Sequence, residues 1–134
     1  MPRASIHKKQ SELNEEAAKA TAQSGLYDWA VTMCFYSALH YVEAYAKHNG
    51  VNIGQEYIQF KTQHERRWFF VQDIDYDLGF NDSLINNYDK LYQGSILARY
   101  LKEYQTITAR EYFKSIYIDY LDALETIKNK LGSF

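Results

Sequence analysis

The chain has 134 residues, enough for one domain with a real core, and 46% of them are hydrophobic while 24% are charged. A net charge of -2 excludes a global attraction to nucleic acid, so any such binding needs a local basic patch. The single cysteine, Cys34, excludes an intramolecular disulfide and reads as a small buried hydrophobe.

In chain order, residues 1–10 carry Lys8 and Lys9 and are expected to fray. From Ser5 or Ser11 to Ser24 the chain is rich in Ala, Glu and Lys, a strong helix composition with only a weak apolar face (Ile6, Leu13, Ala17, Ala20, Ala22). This first helix is expected to be peripheral and to stop at Gly25. The run Asp28–Lys47 follows without Gly or Pro, bracketed by Gly25 and Gly50, and predicts a long central helix. Trp29, Val31, Met33, Phe35, Leu39, Tyr41, Val42 and Tyr45 cover nearly its whole circumference, the pattern of a helix surrounded by neighbours. One seam is polar: Thr32, Tyr36, His40, Glu43 and Lys47, at helical spacing, share a face.

Gly50–Lys61 has no helical period and reads as a loop. Thr62-Gln-His-Glu65 matches a capping box that opens a short third helix to about Asp73, with His64 and Arg67 on one face. Asp73–Gly79 reads as an acidic turn, and it lacks the Gly and terminal Glu of a calcium loop. A fourth helix spans about Asp82–Tyr100, burying Leu84, Tyr88, Leu91 and Leu97, with Tyr92, Ser95 and Arg99 in a stripe and Gly94 placed for close approach to the central helix. Thr108-Ala-Arg-Glu111 opens the last helix, to about Leu131, with Phe113, Tyr117, Tyr120, Leu124, Ile127 and Leu131 as its seam. No stretch alternates with period two, so the fold class is all-α, a single domain over residues 1–134. The polarity of the central helix argues against a membrane span, and the absence of a signal pattern points to the cytoplasm.

Three helices each bring a polar stripe: His40 with Glu43, His64 with Arg67, and Tyr92 with Ser95 and Arg99. Brought to one cavity they suit general acid–base work on a phosphodiester, with Arg stabilising the developing charge. The same residues also fit a structural Glu43–Arg pair that fixes helix register. A metal site from His40, Glu43 and His64 is a third option, which no dense carboxylate pattern supports. Lys61, Arg66 and Arg67 beside Trp68 form a basic edge that fits either RNA or solvent.

Tyr27-Asp-Trp-Ala-Val, Tyr36-Ser-Ala-Leu-His-Tyr-Val-Glu-Ala-Tyr45, His64-Glu-Arg-Arg67 and Leu91-Tyr-Gln-Gly-Ser-Ile-Leu-Ala-Arg-Tyr100, in this order, resemble the HEPN superfamily over roughly residues 10 to 130. The resemblance implies an up-and-down bundle of four to five helices, commonly a homodimer. It also implies RNA or nucleotide handling, often as a metal-independent endoribonuclease of toxin–antitoxin or antiviral systems, with no metal and no cofactor. The superfamily's nuclease motif, an Arg followed after four to six residues by His, has no counterpart here; Arg3 and His7 come nearest, and His64 with Arg67 offers the pair in reversed order. On this reading His64, Arg67, His40 and Glu43 are the catalytic candidates, and Arg66, Tyr92, Ser95 and Arg99 the substrate-binding ones. The rival expectation is a non-catalytic interaction or antitoxin-type module with a protein partner, whose polar cluster is structural.

Overall fold

In the computed structural model the described residues are 3–100 and 107–134. They form seven helices and, among them, no strand: α1 (Ala4–Gln23), α2 (Tyr27–His48), α3 (Ile53–Glu56), α4 (Gln63–Leu78), α5 (Ser83–Tyr100), α6 (Ala109–Phe113) and α7 (Tyr117–Leu131). The all-helical class holds, and the helix count exceeds the four to five expected. α2 is the hub of the bundle: α1, α5, α6 and α7 all pack on it, and α4 reaches it as well. Its Val31, Cys34, Phe35, Ala38, Tyr41 and Val42 join Tyr88 and Leu91 of α5 and Leu124 and Ile127 of α7 in one core. Burial pushes the Cys34 thiol up to about 12, which leaves it a protonated packing residue.

Several local expectations need correction. Helix α1 begins at Ala4, so residues 4–10 are ordered helix; Met1 and Pro2 lie outside the described residues. Helix α1 lies at the edge of the bundle as expected, with only Ser11 and Ala18 buried, yet its contact with α2 is the most extensive between any two helices described. The reason is small residues rather than large apolar ones. Ser11 Oγ donates to the Ser37 carbonyl at 2.7 Å and Ser37 Oγ donates to the Ser11 carbonyl at 2.8 Å, so two fully buried hydroxyls satisfy each other across a close backbone approach. Trp29, expected among the side chains that cover the central helix, is 49% exposed. The stretch 50–61 contains the one-turn α3, capped by the Asn52 side chain on the Gln55 amide.

Helix α4 does not stop at Asp73. It runs through the acidic stretch to Leu78 and ends on Gly79 in the left-handed region at φ 70°, where the Phe80 amide donates back to the Asp75 carbonyl at 3.0 Å. The Asp75 side chain explains the acidity there. It is 2% exposed, and its carboxylate accepts from the amides of Asp82 (2.8 Å), Leu84 (2.7 Å) and Ile85 (2.9 Å), capping the start of α5 from the end of α4. Both capping hydroxyls occur as expected, Thr62 on the Glu65 amide at 3.1 Å and Thr108 on the Glu111 amide at 3.2 Å. Each partner Glu side chain accepts from the Thr hydroxyl. The single last helix is in fact two, α6 and α7, separated at Lys114–Ile116. Gly94 permits a close approach as expected, but to α7: a Cβ there would lie 2.4 Å from Tyr120 Cε1.

Candidate functional site

The polar seam of α2 is the base of the candidate site. Tyr36 and His40 project from it, with Phe35 and Leu39, into an open pocket of about 380 Å³. The first two turns of α4 add His64 and Arg67, because the Thr62 cap sets where that helix begins. From α5 come Tyr92 and Arg99, which share a face with Ser95 one turn apart from each. The three stripes therefore converge, and five of the eight expected site residues (His40, His64, Arg67, Tyr92 and Arg99) line the pocket directly. The other three lie around it. Glu43 accepts from Arg67 Nε at 2.8 Å, with both side chains mostly buried. Ser95 is fully buried, donates to the Tyr92 carbonyl at 2.7 Å and accepts from Arg99 Nη2 at 3.3 Å. Arg66 turns away, its Nε donating to the Phe60 carbonyl at 2.8 Å.

The two arginines differ electrostatically. Arg67 is paired through Nε with Glu43, whereas among the described residues Arg99 is held by neutral groups: the Ser95 carbonyl (3.1 Å), the Ser95 hydroxyl and the Tyr36 hydroxyl (3.1 Å). No carboxylate pairs with Arg99 among the described residues. Its guanidinium also lies 5.8 Å from the Tyr36 ring centroid and 5.2 Å from that of Tyr100. This is a fixed cation that no carboxylate compensates among the described residues, facing a cavity.

The imidazoles are held in defined roles. His64 stacks on Tyr92, with ring centroids 3.4 Å apart and planes 12° apart, and its Nδ1 is buried with no hydrogen-bond partner among the described residues. That leaves Nε2 as the ring nitrogen available to a ligand. Burial, with Arg67 nearby, holds the His64 pKa below its ordinary value, so the ring is neutral at neutral pH. His40 pairs Nδ1 to Nδ1 with His7 of α1 at 3.0 Å, one ring donating and the other accepting, and the rings stack at 5.3 Å. Burial lowers the pKa of both, and in His40 the proximity of His7 and then Arg67 lowers it further. Sequence reasoning placed His7 in a frayed end. Its helical spacing from Ser11 was the available signal, but only the α1–α2 packing sets it against His40.

Among the described residues no group of three or more His, Cys, Asp or Glu side chains is arranged to hold a metal ion, and no helix is long and apolar enough to cross a membrane. Chemically, the pocket offers one guanidinium with no carboxylate partner among the described residues, a second guanidinium oriented by a carboxylate, and neutral imidazoles. That set suits an anion with exchangeable protons near it. No protein-family model matches this sequence, and no curated protein matches it.

Proposed function

We propose that the pocket binds the phosphodiester backbone of RNA and that the protein is a metal-independent, HEPN-like endoribonuclease of a defence or toxin–antitoxin system. The observation that carries this reading is Arg99, a cation with no carboxylate partner among the described residues, facing a cavity that also holds His64 and His40. In the proposed reaction His64 Nε2 takes the proton of a ribose 2′-hydroxyl as that oxygen attacks the adjacent phosphorus. The bond to the 5′-oxygen breaks, that oxygen leaves with a proton from solvent, and a 2′,3′-cyclic phosphate remains. Arg99 and Arg67 clamp the phosphoryl oxygens as charge grows on them, Glu43 orients Arg67, and His40 is held in place by His7. The resemblance to the HEPN superfamily supports the same reading and carries with it an up-and-down bundle and a homodimer; Tyr76 and Tyr100, 86% and 58% exposed, are available to such an interface.

The experiment is cleavage of end-labelled single-stranded RNA in excess EDTA. Wild type is expected to cleave, and His64→Ala to lose about 10²- to 10⁴-fold in rate, the range of general acid–base catalysis. Undiminished cleavage by His64→Ala refutes the assignment. A second reading, a non-catalytic RNA- or protein-binding module, draws on the Glu43–Arg67 ion pair, which by itself is a sufficient register lock between α2 and α4. RNA binding without cleavage by wild type selects it.

A further inference from the structure

We propose that the pocket is one half of a longer groove, whose other half is a nucleobase-stacking subsite built on Trp29; this rests on the RNA reading above. The seam of α2 continues one step toward its N-terminus: Trp29, Thr32, Tyr36 and His40 follow at steps of 3, 4 and 4 and so share one face. A second open cleft, of about 470 Å³, lies at that end of the seam, lined by Trp29 and Thr32 of α2, Arg99 of α5, and Thr108 and Arg110 at the start of α6. Arg99 lines both clefts, which makes it the junction between them. From Trp29 to His40 is eleven residues, about 16 Å along a helix at ~1.5 Å per residue, several times the ~3.4 Å spacing of stacked nucleotides.

The two halves differ in chemistry, and the difference says what each holds. In the second cleft Arg110 Nε is bonded to Asp28 at 3.0 Å, so Arg99 is the one cation lining it that no carboxylate holds among the described residues. The Thr32 hydroxyl is used on the Asp28 carbonyl and the Thr108 hydroxyl on its own cap. What remains is the exposed face of an indole with Ala98 and Ala109 beside it, a site for a flat, uncharged ring rather than a phosphate. A large aromatic exposed on the central helix, next to a guanidinium that also faces the phosphate pocket, fits a single strand of RNA. One base stacks on Trp29 and the neighbouring phosphate meets Arg99. A base-paired strand has no free base face and is not expected to use this subsite.

The test is binding of fluorescein-labelled 2′-O-methyl hexa-adenylate, which cannot be cleaved by its own 2′-oxygen, to the full chain by anisotropy. Trp29→Ala is expected to raise Kd roughly 5- to 150-fold, the contribution of one stacked base, while Trp29→Phe retains most of the affinity. A labelled 12-base-pair duplex is expected to bind both proteins equally. Trp29 belongs neither to the hydrophobic core cluster nor to the side chains packed against it, so neither variant removes core packing. Wild-type affinity in Trp29→Ala overturns the groove; if Arg67→Ala still weakens the oligonucleotide in that case, the phosphate pocket stands without it. Conversely, loss of affinity in Trp29→Ala alongside full RNA cleavage by His64→Ala keeps the stacking subsite and removes the catalytic reading.

Discussion

Replacing Asp75 tests the reasoning about this fold most directly, because one buried carboxylate ties the end of α4 to the start of α5. In Asp75→Ala the amides of Asp82, Leu84 and Ile85 lose their acceptor. Asp82 is exposed and water replaces the lost bond there, but Leu84 is 0% and Ile85 5% exposed, so two donors are left in the core. At about 1–3 kcal/mol for each stranded donor, the loss centres on ~4 kcal/mol. In Asp75→Asn one oxygen remains to accept from Leu84 and Ile85, while the new amide nitrogen faces the Asp82 amide, donor against donor, so the expected loss is about 1–2 kcal/mol. For a chain of 134 residues, ~2.1 cal/mol/K per residue makes 1 kcal/mol worth about 3.6 °C, so the alanine variant is expected to melt ~14 °C lower and the asparagine variant about 4–7 °C lower. The assay is thermal unfolding by circular dichroism, with urea titration to check that the slope is unchanged. Hydrogen exchange adds a local readout, since the Leu84 and Ile85 amides should lose protection first. An alanine variant within ~1 kcal/mol of wild type refutes the account, because a buried three-amide cap cannot be removed so cheaply.

Two other predictions concern packing and protons. Gly94→Ala gains helix propensity of up to ~1 kcal/mol but drives its Cβ to 2.4 Å from the Tyr120 ring, and overpacking of about 1–3 kcal/mol outweighs the gain. A lowered urea midpoint is therefore expected, restored in part by Tyr120→Leu; a stabilised Gly94→Ala would show that α5 and α7 separate freely. His7, His40 and His64 all have pKa values lowered by burial, so the unfolded chain binds more protons than the folded one just below the ordinary histidine value of ~6.5. Stability is then fully present above ~6.5 and falls as the pH drops through the lowered folded values, and the urea midpoint at pH 5.5 should lie below that at pH 7.5. Equal midpoints at the two pH values would mean that the imidazoles are not protected from water.

Local chemistry determined most of the helical plan. The uninterrupted apolar run of α2 between two glycines, the Thr62 and Thr108 caps and the stripes on α5 and α7 are written in periods of 3.6 residues and in cap residues, signals that need no partner to be read. The stripes His40/Glu43, His64/Arg67 and Tyr92/Ser95/Arg99 were legible for the same reason, being helix faces. What tertiary structure decided is everything that depends on a neighbour. Asp73–Leu78 has the composition of a turn, and it is helix because the buried Asp75 carboxylate is consumed by the start of α5. Helix α1 has a poor apolar face and is nonetheless closely packed, because reciprocal Ser11–Ser37 bonds allow backbones to approach where large side chains would not fit. Trp29 sits in a run that reads as core, and only the arrangement of α5 and α6 around α2 leaves it exposed. The meeting of three stripes in one pocket, the pairing of Arg67 with Glu43, and the recruitment of His7 to His40 rest on helix–helix geometry, which a one-dimensional period carries no record of.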